Sequence, residues 1–142
     1  MSKSKKNKLE PITSEEAFVE ALRFLKNAKE TIAKSPTRHN RYQDLKYVRK
    51  ASGIAYLAAL RAIDGYLLRC GIQINKLPKS YEEYWSAKEK YIPVNGRFDS
   101  AFVIVYENLH LFAELSNASS VVLVKAGFEN CKKIIEMLEK LK

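Results

Sequence analysis

The stretch Tyr42–Cys70, YQDLKYVRKASGIAYLAALRAIDGYLLRC, decides the fold. Within it Val48, Ala51, Ala55, Ala58, Ala62 and Gly65 recur at spacings of three and four, which lines them along one side of an α-helix. Tyr56, Leu60, Ile63 and Leu67 make a second row beside this ridge of small side chains. A third row, Ile54, Leu57 and Leu68, also carries Arg61 and Asp64. A helix that is apolar over most of its circumference belongs in the middle of its domain.

The segments around it are also helical in pattern. Thr13 and Glu16 form a capping-box pair that opens a first helix, whose inward face is Ala17, Ala21, Leu25, Ala28 and Ile32 and which Ser35-Pro36 ends. The polar loop Pro36–Asn40 is short, so the second helix, from about Arg41 to Cys70, returns antiparallel and stops at Gly71. Ser80 and Glu83 start a short aromatic helix bearing Tyr81, Tyr84, Trp85 and Tyr91, broken at Pro93 and Asn95-Gly96. Then Phe98, Phe102, Val105, Leu109 and Phe112 hold a 4-3-4-3 rhythm. After a turn at 116–120, Val121, Val124, Phe128, Cys131, Ile135 and Leu138 repeat it. The expected fold is all-α, an antiparallel four-helix up-and-down bundle with the aromatic helix inserted before the fourth helix. Residues 1–12 read as a disordered lysine-rich arm and 13–142 as one helical domain.

Composition narrows the function classes. The 142 residues carry a net charge of +9, unevenly spread. Residues 34–50 hold Lys34, Arg38, Arg41, Lys46, Arg49 and Lys50 against Asp44 alone, whereas residues 80–120 hold six acidic and three basic side chains. One end is therefore basic, and Arg38, Arg41, Lys46, Arg49 and Lys50 are the candidate polyanion site. No apolar run is long enough to span a membrane, and none follows the N-terminal lysines as a secretory signal requires. Cys70 and Cys131 lack metal-type spacing and read as reduced core thiols of a cytoplasmic protein.

Catalytic signatures are missing. No nucleophile elbow, phosphate-cradling glycine loop or paired histidines occur. Glu107 and Glu114 flank His110 at minus three and plus four, but without the remaining ligands of a metal-binding bundle they read as a solvated cluster. No cofactor or metal is expected. Arg61 and Asp64, three residues apart on an apolar helix, read as an ion pair at the core edge. Asn108 shares a row with Ile104, Leu111 and Leu115 and reads as a register-setting polar residue.

Helix one (Glu16–Lys34), the Tyr- and Ala-rich stretch Tyr47–Tyr66, Leu77-Pro78-Lys79-Ser80 and Tyr106-Glu107-Asn108-Leu109-His110 together resemble the HEPN-type helical domains of bacteria. They resemble more closely a small uncharacterised bacterial family of that shape. The ribosomal-RNA intervening-sequence proteins are a similar four-helix bundle. The resemblance spans about residues 13–141. It implies, for members without catalysis, a partner of a small nucleotidyltransferase or a ligand-binding module. Ribonucleases among HEPN domains carry Arg-x4–6-His. Here the residues at the arginine positions are Val103, Ile104 and Val105 before His110, and Ile32, Ala33 and Lys34 before His39. No residue inherits that role. The expectation is a non-enzymatic interaction module acting as a homodimer, with RNA binding through the arm and the 38–50 face as the alternative.

Overall fold

The structure is a computed structural model that describes residues 12–141 except Val94. The lysine-rich arm expected over 1–12 lies outside them apart from Ile12. Helix α1 covers Ser14–Ile32, and a hairpin of β1 (Thr37–Arg38) and β2 (Arg41–Tyr42) leads into α2, Leu45–Arg69. A 3₁₀ turn, Ile74–Lys76, precedes α3, Tyr81–Tyr91. Helix α4, Gly96–Ile104, passes without a break into a π-wound segment, Val105–Leu115, and α5 covers Val121–Lys140. The described residues are all-α apart from the four strand residues.

Helix ends follow their chemistry. Thr13 Oγ1 accepts from the Glu16 amide at 3.1 Å while Glu16 returns a carboxylate oxygen to the Thr13 amide at 2.9 Å, closing the capping box. Asp44 caps α2 and Gly71, at φ +95°, follows its end in the left-handed conformation that glycine adopts without strain. At 25 residues α2 is about 37 Å long and touches α1, the π-segment and α5. A Cβ on Gly65 would lie 3.0 Å from the Phe18 ring and 3.2 Å from Ala17 Cβ, so the glycine lets α1 and α2 pack closely there. The ridge read from the sequence is buried throughout: Val48, Ala51, Ala55, Ala58 and Ala62 are all 0 % exposed.

Three expectations need correcting. Residues 37–42 are not a plain loop and helix start. His39 and Asn40 both have positive φ (53° and 61°), the signature of a tight hairpin turn whose twist suits two antiparallel strands. The hairpin then bonds to the distant 116–121 turn, with the Tyr42 amide donating to Ser119 O at 2.8 Å and the Val121 amide to Asn40 O at 3.0 Å. Secondly, Phe112 is exposed and Ala113 takes its buried place, because i→i+5 winding changes which residues face inward after Val105. Leu109 stays inward and fills the notch at Gly127, where a Cβ would stand 2.5 Å from it. Thirdly, Cys131 is a buried thiol, but Cys70, at the end of α2, is exposed.

Candidate functional site

The hairpin, the first turns of α2 and the 116–120 turn build one end of the molecule. Strand register places Arg38 directly opposite Arg41. Like charges across a strand pair destabilise it, so nothing in the fold is served by that pairing. Arg41 Nη1 donates to Ser119 Oγ at 3.0 Å, and Arg49 Nη1 to Asn117 Oδ1 at 2.8 Å. Both guanidinium groups are thus oriented by neutral acceptors that leave their charge uncompensated. Lys46 approaches Asp44 only to 4.0 Å and lies 4.9 Å from the centre of the Tyr47 ring, which Lys34 approaches to 5.9 Å. All five predicted residues, Arg38, Arg41, Lys46, Arg49 and Lys50, are exposed. Among the described residues Lys46–Asp44 is the sole ion pair any of the five makes.

Arg61 and Asp64 do form a pair, at 3.5 Å, but each has a better partner. Arg61 Nε meets Glu20 Oε1 of α1 at 2.8 Å, and Tyr84 of α3 donates its hydroxyl to Asp64 Oδ1 at 2.9 Å. Asp64 is buried. Burial pushes its carboxyl up to about 6, against the pull of the Tyr84 hydrogen bond and of Arg61. Burial likewise pushes the Tyr84 phenol up, with the Asp64 charge adding to it. This chain of Glu20, Arg61, Asp64 and Tyr84 ties α1, α2 and α3 together.

The π-segment carries the remaining polar cluster. His110 Nδ1 lies 2.9 Å from Glu114 Oε1, and the imidazole stacks on Tyr56 with ring centres 4.6 Å apart. Tyr106 stacks on Tyr81 at 3.5 Å. Glu114 packs over Gly53, where a Cβ would come within 2.8 Å of its carboxylate. Glu107 is exposed and outside the His110–Glu114 pair. Among the described residues no three His, Cys, Asp or Glu side chains converge as metal ligands would. Asn108 reaches across to α5 and donates to Leu123 O at 2.9 Å.

Several participants escaped the sequence reading: Ser119 and Asn117, which aim the arginines, and Glu20 and Tyr84, which complete the Arg61–Asp64 chain. None has a local signal. Asn117 stands 68 positions from Arg49, and Tyr84 reads simply as one aromatic among four.

Comparison with known proteins agrees with this architecture. Residues 16–140 match the family model described as domain of unknown function (DUF5618), and the chain belongs to that family. It is similar to a solved structure, a protein of unknown function from Dyadobacter fermentans, at 32 % identity and a TM-score of 0.77, over 91 % of this chain and 98 % of that one. No curated protein matches. Among the described residues no helix is long and apolar enough to cross a membrane.

Proposed function

We propose that this family member is a non-enzymatic interaction module, an up-and-down four-helix bundle of HEPN-like kind, that binds the phosphate backbone of RNA at its hairpin end. The observation that carries the reading is the facing pair Arg38 and Arg41 beside Arg49, Lys46 and Lys50, whose sole ion pair among the described residues is Lys46–Asp44. Arginine forks held open by Ser119 and Asn117 are ready to take phosphate oxygens two at a time. Fixed donors lose less conformational entropy on binding than free ones, which favours the pinned arginines over the lysines as anchors.

Titration of labelled single-stranded RNA across a salt series tests this. Each neutralised phosphate releases counterions, so affinity is expected to fall steeply with salt. Arg38→Glu combined with Arg41→Glu is expected to abolish most of it. Binding that ignores salt, or that survives both substitutions, would overturn the assignment.

A homodimer is the second part of the reading, and a specific surface favours it. Leu57 is 53 % exposed on the solvent side of α2, between half-buried Ile54 and Leu60, an apolar strip of the kind a partner subunit covers. Light scattering at tens of micromolar decides it: a monomer mass refutes the dimer and leaves the RNA reading intact.

A further inference from the structure

The end of the molecule opposite the hairpin holds a different feature. Arg69, at the end of α2, donates to the carbonyls of Leu138, Glu139 and Leu141, which fixes the last turn of α5 beside the C-terminal end of α2. Next to it a half-open groove of about 1050 Å³ runs between α4 and the last three turns of α5. That is large for a small-molecule site.

Its floor and its rim differ in kind. Half-buried Ile104, Met137 and Leu141 give it an apolar floor, backed from beneath by the core residues Phe98 and Leu138. Met137 adds a side chain that reshapes easily around a flexible guest. Three exposed cations, Arg97, Lys133 and Lys140, stand on the rim, and among the described residues none has an ion-pair partner. Among the described residues Glu136 is the single carboxylate lining it. The first amides of α4 are already taken, since Asn95 Oδ1 accepts from Arg97 N at 2.9 Å and Phe98 N at 3.4 Å. An anion here is therefore met by side chains and not by the helix terminus.

We propose that this groove binds a single-chain anionic amphiphile, its acyl tail along Ile104, Met137 and Leu141 and its carboxylate between Arg97 and Lys133. Apolar floor and net positive rim each exclude one alternative. A bare phosphate gains nothing from Ile104 and Met137, and an uncharged lipid leaves the three cations unanswered. The hairpin end, by contrast, offers cations without an apolar channel. The two sites discriminate ligands by the tail.

Calorimetric titration of the full-length protein with laurate, below its micelle concentration, is the test, with methyl laurate as the uncharged control. Saturable binding of one laurate is expected, with methyl laurate at least tenfold weaker. Arg97→Gln with Lys133→Gln is expected to weaken laurate at least tenfold, and Glu136→Gln to tighten it two- to threefold, all at unchanged melting temperature. Equal affinity for the two ligands, or laurate binding indifferent to the rim substitutions, would overturn the proposal. So would retention on phosphatidylglycerol vesicles without saturable laurate binding, which would assign the groove to a membrane surface.

Discussion

Two charged regions, the hairpin with the first turns of α2 and the second half of α2, obey opposite rules. Around Arg61 every charge is answered: Glu20 takes the guanidinium, Tyr84 takes the carboxylate, and three helices are joined in the process. At the hairpin end the five cations make one ion pair among the described residues, Lys46 with Asp44, and Arg41 and Arg49 are hydrogen-bonded to Ser119 and Asn117, which carry no charge. Charge that serves folding is neutralised within the molecule. Charge that is positioned and left uncompensated is available to something outside it.

The contrast can be broken by experiment, and the largest effect belongs to the uncompensated region. Arg38→Glu with Arg41→Glu is expected to weaken RNA binding about a hundredfold at low salt and to reduce the salt slope by about two, with the melting temperature hardly moved. A collapsed fold in this variant would show the arginines to be structural after all.

Next comes Asp64, where the effect is on stability and depends on pH. Its folded carboxyl titrates near 6, against the ordinary 3.8 of an aspartate, so the folded state binds the proton more tightly than the unfolded one. The stability this contributes is complete below about pH 4 and is lost as pH rises through 6. Asp64→Asn keeps an acceptor for Tyr84 and cannot ionise. Its advantage over the natural protein is expected to be near zero at pH 4 and to grow to at most about 3 kcal/mol at pH 7.5. Chemical denaturation at the two pH values checks it, and a constant difference would mean that Asp64 titrates normally.

Arg61→Gln removes a partner from both Glu20 and Asp64. A cost of about 1–2 kcal/mol is expected, between that of an exposed pair and a fully buried one, because the side chain is 31 % exposed. RNA affinity is expected to stay the same, which is the half of the comparison this variant sharpens. The smallest effect is that of Arg38→Glu alone. It replaces a repulsive cross-strand pair by an attractive one, so the hairpin gains about 0.2–1 kcal/mol while RNA binding falls about tenfold. Stability and affinity moving in opposite directions would separate function from fold at a single position.

How much of this was legible beforehand depends on whether a feature is local and periodic. The small-residue ridge from Val48 to Gly65, the capping box at Thr13 and Glu16, and the α5 row from Val124 to Leu138 repeat at helical spacing, and the structure buries those rows. The hairpin was not legible, since strands of two residues have no alternation to detect. Nor was the π winding at 105–115, because the 4-3-4-3 rhythm is equally well written on an α-helix until Phe112 is seen to turn outward. Of the candidate site, the five cations were legible from charge density alone. What orients them was not: the Arg49–Asn117 and Arg41–Ser119 bonds join positions 68 and 78 residues apart, and only the folded backbone brings them together.

Those same long-range bonds bear on how the molecule is made. Helix pairs close over short loops and form quickly, whereas joining the 37–42 hairpin to the 116–121 turn waits for the whole intervening chain. A ribosome-bound chain synthesised only as far as Leu115 lacks Asn117 and Ser119 altogether, and its arginines swing free. For the proposed RNA site, competence to bind is acquired only when the chain is complete, and such a ligand raises the melting temperature of completed molecules.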